Sequence, residues 1–252
     1  MATDSNPLQA ALKQIRERIA QTCQRAGRQA DSVLLIAVSK TFPAEAVVQA
    51  ANAGQRHFGE NYLQEAVDKI ARVKEMAPAL SDSDVDADSL IWHFIGPLQS
   101  NKTRAVAEHF DWVHSIEREK VARRLSEQRP AQLPPLNVCI QVNVSGEQTK
   151  SGVTPEEALP LAAVIAGLPN LRLRGLMSIP EATDDFSLQR QRFARLRSLL
   201  QQLNQVRTAS QPALDTLSMG MSADMEAAIL EGATMVRIGT AIFGSRTTQA
   251  VT

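Results

Sequence analysis

Runs of apolar and β-branched residues alternate along the chain with amphipathic segments of helical period. This alternation is typical of repeated strand–helix units around a parallel sheet. The pattern predicts a first helix over about 8–25. It then predicts eight strands, at 33–39, 56–59, 90–96, 112–116, 136–144, 171–178, 215–219 and 235–239. Eight such units close most simply as an α/β protein of the (β/α)8 TIM-barrel type with an extra N-terminal helix.

Almost every residue is used by these predicted units, so we expect a single barrel domain over 1–252, with no second folded domain. Within it, 1–30 contains the N-terminal helix. The segment 77–89, APALSDSDVDADS, is polar, acidic and aperiodic, which predicts a surface loop. The last residues, 245–252, are expected to form a tail.

The composition of the chain argues against several classes of function. The chain has 27 Lys and Arg against 27 Asp and Glu, with no basic block, which argues against a nucleic-acid partner. No apolar run approaches the ~20 residues of a membrane helix, and the N-terminus lacks a signal-peptide pattern, so we expect a cytoplasmic monomer without a membrane partner. Cys23 and Cys139 are isolated, which predicts reduced structural thiols and no metal site.

One lysine stands in an unusual place. The stretch LLIAVSKTFP puts Lys40 at the end of the first apolar strand, and the strand ends of a TIM barrel form its chemical face. Desolvation there would lower the pKa of the amine and let it form a Schiff base with a carbonyl. The alternative is a lysine that reaches the rim and pairs with a carboxylate.

Small and hydroxyl residues follow the last two predicted strands. Ser218, Gly220 and Ser222 end the seventh strand, and Gly239 and Thr240 end the eighth. Barrels commonly bind phosphate at these two positions, because backbone N–H groups can approach the anion closely. Either glycine alone is better explained by a tight turn, but together they favour a phosphate site.

Arg237, in MVRIG, alternates with Gly239 and should point to the same side. A Schiff-base lysine, a phosphate site and an inward arginine suggest pyridoxal 5'-phosphate. The aldehyde would bond to Lys40 and the phosphate would rest on Ser218, Gly239 and Thr240. Arg237 would meet the pyridine nitrogen, and a permanently charged arginine would leave that nitrogen unprotonated and the cofactor a weak electron sink.

Seven motifs, occurring in this order along the chain, are the basis of a resemblance to a known family: VSKTFP, HFGENYLQEA, WHFIGPLQSNK, VHSIER, TKSGV, LRGLMSIP and SMGMSADMEAAI with VRIGTAIFG. Over about residues 30–245 the chain resembles the pyridoxal phosphate homeostasis protein family, also called the proline synthetase co-transcribed family. The resemblance implies a fold-type III barrel like the N-terminal domain of alanine racemase, with the cofactor on Lys40. It also implies these cofactor-binding residues: Lys40, Asn61, Met177, Ser178, Ser218, Arg237, Gly239 and Thr240. Many relatives have a second lysine where this chain has Phe42.

Three further residues have open interpretations. His93, alone in WHFIG, is interpreted as a hydrogen-bonded core residue. Asn61 could cap the following helix or contact the cofactor, or both. Lys150, in EQTKSGV, reads as a solvated loop lysine, and only the family resemblance suggests a role in cofactor release.

Two main functions compete. A racemase needs acid–base groups on both faces of the bound substrate, whereas Lys40 supplies one face and the one tyrosine, Tyr62, is adjacent to the predicted cap of its own helix. A cofactor carrier, holding pyridoxal phosphate as an internal aldimine and delivering it to apo-enzymes, needs no second base. We favour the carrier, with no catalytic residues. A barrel aldolase would need a carboxylate or tyrosine relay that the strand ends do not show.

Overall fold

Eight parallel strands close into a barrel in which each strand pairs with its neighbours in sequence and β8 returns to β1. The computed structural model describes residues 6–76, 86–147, 150–208 and 211–245. The strands are β1 Leu34–Val38, β2 His57–Glu60, β3 Ile91–Phe94, β4 Trp112–Ile116, β5 Leu136–Gln141, β6 Leu171–Met177, β7 Thr216–Ser218 and β8 Met235–Ile238. The predicted TIM barrel is therefore confirmed.

Helices surround the barrel and bury their apolar faces against it. They are α1 Pro7–Arg25, α2 Ala44–Asn52, α3 Leu63–Met76, α4 Thr103–His109, α5 Glu119–Gln128, α6 Pro155–Ala166, α7 Phe186–Gln205, α8 Met225–Leu230 and α9 Thr240–Phe243. The first of these is the predicted extra helix. Asn6 caps it by accepting a hydrogen bond from the Leu8 amide at 3.1 Å, and it packs against α8 and α9, which closes the ring next to β1.

The predicted strands agree with the observed ones in order and number, with ends that differ by a few residues. The largest difference is in β5, which ends at Gln141 rather than at 144 because Val142 forms an isolated bridge with Val153. Of the predicted loop 77–89, residues 77–85 lie outside the described residues, and Ala87–Ser89 forms one 3-10 turn. Of the predicted tail, only Ser245 is described.

The inside of the barrel has an apolar part and a polar part. Ile36, Trp112, Cys139, Met177 and Met235 form a buried apolar cluster in the lumen, separate from the larger core between strands and helices. The polar part is a set of buried histidine, serine and arginine side chains on other strands, which is described below.

Strands β6 and β7 approach each other very closely. Gly175 of β6 makes this possible, because a Cβ there would overlap the backbone carbonyl of Thr216. The close approach sets the register in which Met177 lies beside Ser218. Gly175 therefore helps to place two residues of the predicted cofactor site.

Within the described parts of the chain, we find no helix with the length and hydrophobicity needed to cross a bilayer.

Candidate functional site

Lys40 lies at the mouth of the barrel, two residues beyond the end of β1, and is half-buried. The next residue, Thr41, has a φ of 68°, a left-handed conformation that a β-branched residue seldom adopts. The Thr41 amide donates a 2.6 Å hydrogen bond to Glu65 Oε1, which holds this conformation. The turn that carries Lys40 is thus fixed by a side chain of α3.

A buried ion pair supports the other side of the same turn. Lys69 Nζ donates to Glu60 Oε1 at 2.7 Å and to the backbone carbonyl of Ser39 at 2.7 Å. Ser39 Oγ also donates to Glu60 Oε1, at 2.6 Å. Burial raises the pKa of Glu60, and the charge and hydrogen bond of Lys69 oppose that rise. Residues 39 and 41, on either side of Lys40, are therefore both held by charged side chains.

Arg237 connects three of the predicted site residues. Its guanidinium donates to Ser218 Oγ at 2.8 Å and to the Ser178 carbonyl at 2.9 Å. The Ser178 amide in turn donates to the Ser218 carbonyl at 3.2 Å. The predicted inward direction of Arg237 is confirmed, because its side chain is buried among these groups. Among the described residues, these two side-chain donations fix the direction of the guanidinium.

Burial lowers the pKa of Arg237 to about 10, and Asp224 and Cys139 partly offset this effect. The guanidinium therefore remains charged at neutral pH. Burial also raises the pKa of Cys139 to about 12. Cys23 and Cys139 are both buried free thiols, which agrees with their predicted structural role.

Two glycines shape the turns after β7 and β8. Gly220 has a φ of 95°, and a Cβ there would lie 2.6 Å from the Ala228 side chain. A Cβ on Gly239 would lie 3.1 Å from the Val38 carbonyl, which places this turn directly beside the end of β1. Thr240, exposed, begins α9, whose first amides have no acceptor within the helix. The turn thus presents backbone N–H groups at the mouth.

Several buried polar atoms at the mouth lack a partner among the described residues: Glu60 Oε2, Asn61 Oδ1 and Ser178 Oγ. Each belongs to the last residue of a strand or to the first residue after one. A buried polar atom without a hydrogen bond costs about 1–3 kcal/mol, so such atoms at one face indicate a site for a polar ligand. Two of the three belong to residues of the predicted cofactor site, and Ser178 Oγ is the one of them that can donate as well as accept.

The unpartnered oxygen of Asn61 also decides between its two interpretations. Helix α3 begins at Leu63, so Tyr62 and not Asn61 occupies the capping position. The Asn61 side chain accepts no hydrogen bond from α3. The capping interpretation is therefore wrong, and a ligand contact stays a prediction.

The other predicted residues take different places. Met177 is buried in the lumen beside Ser218. Lys150 is exposed in the loop after β5, with its Nζ 3.9 Å from the Glu147 carboxylate. Phe42 stacks on Phe243 of α9 with ring centroids 5.1 Å apart, so the position of the second lysine of many relatives is here part of an aromatic contact.

His93 is hydrogen-bonded and buried, as predicted, but it is not alone. Its two ring nitrogens lie 2.9 Å from His57 Nδ1 and 2.9 Å from His114 Nε2. His114 Nδ1 lies 2.8 Å from Ser218 Oγ. This connection was not predicted from the sequence, and neither were the roles of Glu60 and Lys69. The available signal was that three of the four histidines start or interrupt apolar strands in succession.

The described residues contain no group of three or more His, Cys, Asp and Glu side chains arranged to hold a metal ion. The three histidines above instead bond to one another. The groups at the mouth are an amine at Lys40, a buried guanidinium, the Glu60 carboxylate, hydroxyl groups and backbone N–H donors.

Comparisons with known proteins agree with this geometry. Residues 11–247 match the family model for the N-terminal domain of alanine racemase. A protein of Vibrio cholerae named pyridoxal phosphate homeostasis protein is 57% identical over 239 residues, covering 95% of this chain and 96% of its own. One of the same name from Pseudomonas aeruginosa is 58% identical over 235 residues, covering 93% and 94%.

Among solved structures, PipY of Synechococcus elongatus with pyridoxal phosphate bound is 36% identical with a TM-score of 0.77, covering 94% of this chain and 100% of its own. Its ligand-free structure gives a TM-score of 0.79. The sequence identity to these relatives, the coverage of both chains and the shared barrel together establish the family. The chain belongs to the family of alanine racemase N-terminal domains and, within it, to the pyridoxal phosphate homeostasis proteins.

Proposed function

We propose that this protein binds pyridoxal 5'-phosphate at the barrel mouth, covalently through Lys40, and acts in the homeostasis and delivery of this cofactor rather than in amino-acid turnover. The observation that carries the proposal is the buried network of Arg237, Ser218 and Ser178 beside a strand-end lysine. Pyridoxal phosphate, when bound, supplies an aldehyde that condenses with a primary amine and a ring that withdraws electrons. The ligand-bound relative PipY supports this assignment.

The proposed roles follow from the contacts at the mouth. Lys40 supplies the amine, and its turn is held by Glu65 and Lys69. Gly239 and Thr240 donate backbone N–H groups to the phosphate, together with the Ser218 hydroxyl. Ser178 Oγ, which can donate, gains the hydrogen-bond partner that it lacks, and Asn61 contacts the cofactor beside it. Met177 forms part of the apolar floor below them.

Arg237 is the residue that favours a carrier over an enzyme. It is charged at neutral pH and has no lone pair to accept a proton. A pyridine nitrogen beside it stays unprotonated, which weakens the ring as an electron sink. The carrier is also consistent with Tyr62, which is 52% exposed and lies immediately before α3.

The first test locates the covalent bond. The protein loaded with pyridoxal phosphate is reduced with borohydride, digested and mapped by mass spectrometry, and we expect the cofactor mass on the peptide that contains Lys40. Lys40→Ala should abolish the visible absorption band with an unchanged far-UV circular dichroism spectrum. Lys102→Ala, which changes an exposed lysine at the start of α4, is the matched control. An adduct found on another lysine alone contradicts the proposal.

The second test separates carrier from racemase. Loaded protein is mixed with an apo-enzyme that requires the cofactor, and the recovered activity of that enzyme measures transfer. In parallel, solvent deuterium exchange at the α-carbon of amino acids measures turnover. Exchange on the order of 1 per second or faster would overturn the carrier in favour of the racemase.

Lys150 is assigned an assisting role in release. It lies on the loop after β5, on the same barrel face as Lys40, where its amine can compete for the phosphate or the aldehyde. Lys150→Ala should slow transfer to the apo-enzyme while the borohydride adduct stays on Lys40. Equal transfer rates in wild type and variant would remove this role and leave the carrier function untouched.

A further inference from the structure

A continuous chain of hydrogen bonds crosses the inside of the barrel from its N-terminal end to its mouth. It begins at His57, the first residue of β2, and passes through His93 of β3 and His114 of β4. The ring nitrogens are 2.9 Å apart at both contacts. The chain ends at Ser218 Oγ, which lies 2.8 Å from His114 Nδ1 and accepts a bond from Arg237. We call His57, His93, His114 and Ser218 the histidine column.

The column is kept neutral by its surroundings. Burial lowers the pKa of His57, and it lowers the pKa of His93 still further, where His114 and His57 act in the same direction. Burial and the nearby charge of Arg237 lower the pKa of His114 to about 3. Trp112 stacks on His93 with centroids 5.5 Å apart, and the Arg174 guanidinium lies on the Trp112 ring.

Because the imidazoles are neutral, all hydrogen bonds along the column must be donated in the same direction. A neutral imidazole has one donor nitrogen and one acceptor nitrogen. Each histidine of the column contacts its neighbours through defined nitrogens, so the tautomer of one histidine fixes the tautomer of the next. All three must therefore carry hydrogen on Nε2, or all three on Nδ1.

The mouth end selects between these two states. Arg237 can only donate, so Ser218 Oγ accepts from it. Among the described residues, His114 Nδ1 is the other hydrogen-bond partner of this oxygen. Without a ligand, the Ser218 hydroxyl therefore donates to His114 Nδ1, and all three histidines carry hydrogen on Nε2. A ligand that accepts the Ser218 hydrogen removes this donor, and His114 must then donate to Ser218 from Nδ1.

We infer that binding of a phosphate ester at the mouth reverses the whole column, so that His57 reports occupancy of the cofactor site at the opposite end of the barrel. The inference rests on the proposed function, since it requires a phosphate at Ser218. The atoms balance: a proton enters Ser218 from the phosphate or from water, one proton passes across each hydrogen bond, and one leaves His57 Nε2 to water. The column holds the same number of protons before and after.

The end of the column at His57 lies at the protein surface, where another molecule can contact it. His57 lines a cleft of about 610 Å³ together with Arg16, Gln55 and Arg56. Because Nδ1 of His57 bonds to His93, its Nε2 lies on the opposite side of the ring. In the ligand-free protein this atom donates a hydrogen bond, and in the loaded protein it accepts one. A partner or solute in the cleft would therefore bind with different affinity to the two forms, and by linkage would change cofactor affinity by the same factor.

The test is ¹⁵N NMR of the full chain labelled at histidine. The shift of each ring nitrogen distinguishes a bare from a protonated nitrogen, so the spectrum reports tautomers directly rather than activity. Signals are assigned with His57→Gln, His93→Gln and His114→Gln. The probes are pyridoxal 5'-phosphate and inorganic phosphate. We expect Nε2–H tautomers without ligand and exchange of the two nitrogen signals in His93 and His114 on saturation.

His109 is an internal control, because it is exposed at the end of α4 and outside the column. Its signals should not exchange. Unchanged tautomers in a sample whose borohydride adduct proves loading on Lys40 would overturn the column inference and leave the proposed function intact. Failure of both probes to bind would overturn both.

Discussion

Replacing Lys69 by methionine should destabilise the protein strongly, because it removes one partner of a buried ion pair. Lys69 is 6% exposed and Glu60 fully buried, with Nζ and Oε1 2.7 Å apart. Breaking a buried pair by removing one charge costs about 3–5 kcal/mol, since the remaining charge is left uncompensated. Lys69→Met also removes one of the two hydrogen bonds that the Ser39 carbonyl accepts, but the bond from the Phe42 amide at 3.0 Å remains. We therefore expect a loss of about 3–5 kcal/mol in the free energy of unfolding.

The loss should depend on pH in a defined direction. Burial already raises the pKa of Glu60 above its ordinary value of 4.5, and Lys69 opposes that rise. Without Lys69 the pKa of Glu60 rises further, so the folded variant binds more protons than the unfolded chain between 4.5 and the new folded value. Its stability therefore falls as pH rises through this window. The difference between wild type and Lys69→Met should narrow as pH is lowered towards 4.5.

Urea denaturation followed by circular dichroism at several pH values measures both effects. Lys74→Met is the matched control on the same helix, because Lys74 forms an exposed pair with Asp88 at 2.9 Å. An exposed pair contributes only about 0–1 kcal/mol. The double variant Glu60→Gln with Lys69→Met keeps an acceptor for Ser39 Oγ and removes the charge, so it should recover more than half of the loss. A cost of Lys69→Met no greater than that of Lys74→Met would refute the reasoning.

Three further outcomes follow from other parts of the barrel. Gly175→Ala should lower the free energy of unfolding by at least about 2 kcal/mol in urea denaturation, because its Cβ overlaps the Thr216 carbonyl. Cys139, with a pKa of about 12 and full burial, should resist alkylation at pH 8 in the folded protein and react once urea unfolds it, as measured by mass spectrometry. His114 titrates at about 3 when folded against an ordinary 6.5, so stability falls as pH drops below 6.5 and about 3 kcal/mol is lost by pH 4. His114→Gln should remove that part of the acid sensitivity, and equal acid slopes in wild type and variant would contradict it.

The strands could be predicted from sequence because they are buried on both faces. LLIAV, LNVCIQ and MVRI read as nearly continuous apolar runs, which is typical of parallel strands covered by helices. The strand ends were less certain, and β5 shows why. Val142 and Val144 are apolar and buried, yet they lie beyond the last regular pairing. Burial alone does not show where a ladder ends.

Parts of the site could not be predicted because they depend on contacts between distant elements. Lys69 lies on α3 in a segment of mixed charge, and nothing in LQEAVDKIARVKEM separates it from the exposed Lys74. Its burial follows from the packing of α3 over the end of β1. His93 was interpreted as a lone core histidine for the same reason, since its partners lie on β2 and β4 and only the barrel register brings them within 2.9 Å.

Burying the polar part of the lumen costs free energy, and a role in the site at the barrel mouth explains why it is kept. Burying neutral imidazoles is tolerated only when their hydrogen bonds are satisfied. Here each contact of His93 is satisfied by another histidine, and the series ends at the serine that also receives Arg237. An apolar filling such as the cluster around Trp112 and Met177 would occupy the same space without this constraint. The histidine column instead links Ser218 to Arg237 through hydrogen bonds. The atoms proposed to meet the phosphate and the pyridine ring therefore respond together when a ligand binds.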